Sequence, residues 1–70
     1  MVSKETLKEY EIESIYQYYD LIIDSIYDGQ RKQARNYAKK LNKSQRLEFV
    51  YWLEDIYQDD IKEWFIREFI

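Results

Sequence analysis

The groups in this chain that could do chemistry are carboxylates and serine hydroxyls, since its 70 residues include no His and no Cys. Three carboxylate pairs stand close in sequence: Glu9 with Glu13 and Asp20 with Asp24, each one helical turn apart, and the adjacent Asp59 and Asp60. Paired acids of this kind can share a divalent cation or divide the roles of general acid and base. An all-oxygen metal site draws on more ligands than one helix face supplies, so the expected state of these pairs is a solvated helix surface. Ser3, Ser14, Ser25 and Ser44 have no histidine to activate them, and Ser3 and Ser44 fit helix caps better. A phosphate-cradling loop needs several glycines, and the chain has one, Gly29. No catalytic residue, metal ligand or cofactor site is assigned, and the expectation is a protein that is not an enzyme.

The strongest local signal is electrostatic. Residues 29–46 read GQRKQARNYAKKLNKSQR, with seven cations and no acid, in a chain of net charge −3. The flanking segments 1–28 and 47–70 each hold two cations and seven acids, so charge runs −5, +7, −5 along the chain. Such a block either meets an external polyanion or neutralises the rest of the fold. In the first case Arg31, Lys32, Arg35, Lys39, Lys40 and Lys43 would contact nucleic-acid phosphates, and Tyr37 could stack on a base. The stretch YAKKLNKSQRLEFVYWL also resembles a helix-turn-helix, with Ala38, Leu41, Ser44 and Gln45 where such motifs often carry them. The resemblance stops there. Its recognition helix, EFVYWLEDIY, would present three acids to DNA, and Lys43 occupies a position that expects an apolar residue. The charge pattern favours internal neutralisation and leaves nucleic acid as the alternative partner.

Helices must position all of these groups, because the chain lacks Pro, has a single Gly, and is rich in Ile, Leu, Lys, Glu and Tyr. The expected fold is all-α: one domain over residues 1–70, a small bundle of three or four helices at about 4–28, 30–41, 45–57 and 60–70. Ser3 caps the first, whose stripe is Ile12, Ile15, Tyr19, Ile22 and Ile26, and Gly29 ends it in a left-handed C-cap. Ala34, Tyr37, Ala38 and Leu41 make the second stripe, and Asn42 or Ser44 caps the third helix. Phe49, Trp52, Leu53 and Ile56 line that helix, with Val50 and Tyr57 beside them. The stripe then rotates to Ile61, Trp64, Phe65 and Phe69, which argues for a break with Asp60 and Glu63 as a capping box, rather than one bent helix over 45–70. Folding the first two helices as an antiparallel hairpin at Gly29 pairs Ile26 with Ala34, Ile23 with Tyr37, Ile22 with Ala38 and Tyr19 with Leu41. On its flank an acidic ladder, Asp28, Asp24 and Asp20, would meet a basic one, Arg31, Arg35 and Lys39.

Thirteen of the residues are aromatic, more than a domain this small can enclose. Trp64, Phe65, Ile66, Phe69 and Ile70 point in nearly every direction around the last helix, and Tyr10, Tyr18 and Tyr51 fall off the main stripes. Aromatic residues rimmed by acids are the usual make-up of a protein interface. The expected function is a small acidic interaction module, an inhibitor or adaptor of the phage or mobile-element type. It would bind another protein through these eight residues and self-associate as a homodimer. The stretch MVSKETLKEY has no apolar core of the signal-peptide kind, and the longest apolar run, residues 49–53, is far short of a membrane span. A cytoplasmic chain with no membrane contact is the corresponding expectation.

Overall fold

Small polar side chains cap two of the helix starts, and left-handed residues end three of the helices. The computed structural model describes residues 2–70, and among these it is all-helical. Its elements are α1 Lys4–Glu9, α2 Ile15–Tyr27, α3 Arg31–Lys39, α4 Lys43–Asp55 and α5 Asp59–Phe69. Ser3 caps α1 by accepting the Thr6 N–H at 3.3 Å, and Asn42 caps α4 by accepting that of Gln45 at 2.8 Å. No helix among the described residues is long and apolar enough to cross a membrane.

Three helices finish in the same way. After α1 the N–H groups of Glu11 and Ile12 donate back to the carbonyls of Lys8 and Leu7. After α2 those of Gly29 and Gln30 reach Ile26 and Ser25, and after α4 those of Tyr57 and Gln58 reach Glu54 and Leu53. This paired closure requires a left-handed residue at its centre. Gly29 adopts φ 77° without penalty, but Glu11 and Tyr57 hold φ 57° and 59° with a side chain attached. The α2–α3 and α4–α5 junctions are twins: Gln30 (φ −98°, ψ 65°) and Gln58 (φ −97°, ψ 63°) have nearly the same backbone, and each stands at the N-cap position of the next helix. These two helix pairs make the most extensive contacts between elements.

The structure corrects the expected boundaries in two places. The helix expected over 4–28 is broken at Tyr10–Ser14, because Glu11 turns left-handed and Gln17 Oε1 accepts the N–H groups of Glu13 (2.6 Å) and Ser14 (3.3 Å) to start α2 afresh. Five helices result instead of three or four. The expected box at Asp60 and Glu63 is replaced by Gln58 as N-cap, one residue before Asp59.

Tyr18 and Tyr19 show why α2 buries a face wider than one stripe. Tyr18 turns to α3, where its hydroxyl donates to the Tyr37 carbonyl at 2.7 Å and its ring meets Tyr10 and Tyr37. Tyr19 turns to α4, with Phe49 at 4.9 Å and Trp52 at 5.5 Å between centroids. Phe49 then stands edge-on to Phe65 at 4.7 Å, and Phe65 and Trp64 both touch Phe69. The fully buried Ala34 and Ala38 carry little side chain, which allows the α3 backbone to approach α2. Among the described residues ten of the thirteen rings lie in ring–ring contacts. The exceptions are Tyr27, Tyr51 and Tyr57.

One polar side chain ties the N-terminal segment to this core. Gln45 Oε1 accepts the N–H groups of Val2 (3.1 Å) and Asn42 (3.0 Å), and its Nε2 donates to the Val2 carbonyl at 2.7 Å. Val2 is buried as a result, although α1 itself buries no residue.

Candidate functional site

The two twin turns face each other across a groove of about 560 Å³. The end of α2 contributes Ile26 and Tyr27, the start of α3 Arg31, and the α4–α5 turn Tyr57 and Gln58. Asp59, Asp60, Ile61 and Trp64 of α5 complete the lining. Tyr27 is 65% exposed and Tyr57 88%, while Trp64 is 9% exposed. The Tyr27 hydroxyl donates to Gln58 Oε1 at 2.5 Å, which joins the two turns. Asp59 and Asp60 occupy the first turn of α5, where the helix dipole favours acids, and Arg31 stands on the opposite side of the groove. The indole N–H of Trp64 is buried and has no acceptor among the described residues. Two phenols, a guanidinium and an indole around one groove are the side chains that dominate protein-binding energetics. The lining has no Ser, Cys, His or Lys.

A second surface lies at the far end of α5. Lys43, Arg46 and Leu47 of α4 and Phe69 and Ile70 of α5 line a smaller groove of about 330 Å³. Ile70 is 64% exposed, Leu47 42% and Ile66, one turn earlier, 40%. Arg46 lies 5.4 Å over the Phe69 ring and donates from Nη2 to the Lys39 carbonyl at 3.3 Å, so it completes the end of α3 as it covers α5.

The eight expected interface residues are therefore divided by the fold. Ile66, Ile70 and Tyr51 are exposed and Phe69 and Tyr10 half-buried, but Tyr18, Phe65 and Trp64 are buried. The last three leave the expected face because Tyr18 packs on Tyr37 of α3, Phe65 on Phe49 of α4, and Trp64 lies at the back of the groove between the turns. Leu47, Tyr27 and Tyr57 were not among the expected contacts. Tyr57 was placed beside a core stripe, and only the left-handed turn carries it out to solvent.

The expected charge ladder also fails to form. Two ion pairs occur among the described residues, Arg35 with Glu68 at 3.3 Å and Lys62 with Asp59 at 4.0 Å, and neither uses Asp20, Asp24 or Asp28. Those acids lie on exposed positions of α2 and its cap, while Arg35 turns toward α5. Lys40 donates to the Tyr10 hydroxyl and sits 5.0 Å over its ring; that hydrogen bond raises the Lys40 ammonium above its ordinary range. Arg31, Lys32, Lys39 and Lys43 have neither a carboxylate nor a ring within bonding reach among the described residues. Desolvation of its helix face, and then the Asp24 charge, lift the Asp20 carboxyl above the usual range. Among the described residues no cluster of three or more such groups could hold a metal ion.

No family model, curated protein or solved structure matches the chain.

Proposed function

We propose that the protein is a non-enzymatic interaction module, acting as an inhibitor or adaptor, and that the groove between its two turns is where a partner protein docks. The observation that carries this reading is Tyr57. It is the most exposed of the large apolar side chains that stand clear of the fold, yet it holds a left-handed backbone that glycine occupies at the twin position 29. A ring kept at a strained position and packed against little has its use outside the fold. In this reading α2 and α3 form an antiparallel hairpin closed at Gly29, which the bond from Tyr18 to the Tyr37 carbonyl supports, and that hairpin holds Tyr27 and Arg31 at the groove. A partner side chain entering between Tyr27 and Tyr57 would cover both rings and offer an acceptor to Arg31. The exposed Leu47, Ile66 and Ile70 give the module a separate surface for self-association.

Tyr57→Gly tests the proposal without damage to the fold. Immobilised wild-type protein and the variant are exposed to an extract of cells that carry the gene. A protein retained by the wild type should be lost at least tenfold from Tyr57→Gly and from Tyr27→Ala. Identical retained sets would end the proposal.

A further inference from the structure

We infer that the outer face of α3 binds the phosphate backbone of a DNA duplex. Every exposed position on this helix is Arg31, Lys32, Gln33, Asn36 or Lys39, so the face carries no carboxylate and no large apolar side chain. Each of the other four helices exposes at least one acid. Lys32, Asn36 and Lys39 recur at i, i+4 and i+7 on one stripe. Arg31 and Lys32 stand in the first turn, where the helix dipole is itself positive, a placement that is unfavourable until an anion arrives. The acids expected to neutralise the block form no ion pair with it.

The same residue types decide the class of partner. A protein partner needs an apolar centre to bury, and a membrane needs apolar side chains to insert; this face supplies neither. A single strand needs exposed rings for its bases, but Tyr37 is half-buried and receives a hydrogen bond from Gln33. What remains is cations for phosphates, with the Asn36 amide between them for a base edge. An α-helix with its side chains is about 10–12 Å across, which a major groove ~12 Å wide admits, and the nine residues of α3 give it about 13.5 Å to lay along that groove. This site is separate from the tyrosine groove except at Arg31, so either can fail alone.

Fluorescence anisotropy with a labelled duplex of about two helical turns tests the inference. Three uncommitted cations, Arg31, Lys32 and Lys39, predict a log–log salt slope of about −2.7, a loss of about 40-fold in affinity between 50 and 200 mM salt. Lys32→Glu with Lys39→Glu should leave the helical circular dichroism unchanged, weaken binding at least tenfold and cut the slope to about a third. Lys32→Arg with Lys39→Arg should preserve both affinity and slope, which separates lost charge from a damaged fold. Absence of duplex binding at 50 mM salt, tighter binding to single strands, or equal displacement by polyglutamate would each overturn the inference. So would a charge-reversed variant that binds as well as the wild type.

Discussion

Tyr57→Gly should make the protein more stable. The substitution removes a side chain that is 88% exposed and so contributes little burial, and it relieves a backbone at φ 59°. A left-handed conformation costs a residue with a Cβ roughly 1–2 kcal/mol, and glycine gives back about 0.5–1 kcal/mol through the greater freedom of its unfolded state. The net expectation is a gain of about 0.5–1 kcal/mol, or ~2–8 °C in Tm for a domain of this size. The twin turn supplies the internal control. A Cβ at Gly29 would meet nothing within 4 Å, so Gly29→Ala introduces backbone strain and no clash, and should cost about 1 kcal/mol. Urea denaturation followed by circular dichroism measures both, with an unchanged m-value confirming that the fold is retained. A Tyr57→Gly protein less stable than the wild type would show that the ring supports the fold and refute its assignment to a partner.

Three further outcomes follow from other contacts. Gln45→Ala removes the α4 cap bond and two bonds to Val2, so unfolding free energy should fall by about 2–3 kcal/mol; Gln45→Glu, which loses only the donor to Val2, should fall between. Burial, and then the Glu48 and Tyr16 charges, push the Tyr19 phenol up to about 12, and burial followed by Tyr10 and Tyr37 raises that of Tyr18 further. Because the folded values lie above the unfolded one of about 10, this stability is complete below pH ~10 and is lost as pH rises toward 12. Tyr18→Phe with Tyr19→Phe should abolish that alkaline decline in Tm. Light scattering should show concentration-dependent self-association in the wild type and a monomer in Ile66→Asp with Ile70→Asp; a monomer in both would remove the second surface from the proposal.

The helical class was legible because nothing in the composition competes with it, and Ser3, Gly29 and Asn42 each marked a boundary by a local rule. The break at Tyr10–Ser14 was harder to see, because a left-handed Glu11 has no sequence signature, although Ser14 followed by Gln17 is an N-terminus pattern. A helical wheel gave Arg35 a direction but could not weigh Glu68, which belongs to a helix that was not part of the expected pair. The aromatic surplus was overestimated for a related reason. Tyr18 falls off the α2 stripe yet packs on Tyr37 of α3, and Phe65, whose helix looked apolar all round, is closed over by Phe49 of α4, a neighbour the wheel does not contain. Tyr27 and Tyr57 reach the groove through a turn geometry that only Gly29 announced.

The continuous run of rings through the core also fits the molecule with optical reporters. Trp52 is surrounded by Tyr16, Tyr19 and Phe49, and Trp64 by Phe65 and Phe69, so the two indoles occupy different asymmetric surroundings. Trp52→Phe would leave Trp64 as the only tryptophan emitter, seated in the lining of the groove, while Trp64→Phe would leave one that reports the α2–α4 contact. Occupation of the groove and loosening of the core would then appear as separate spectral signals, with no label attached to the protein.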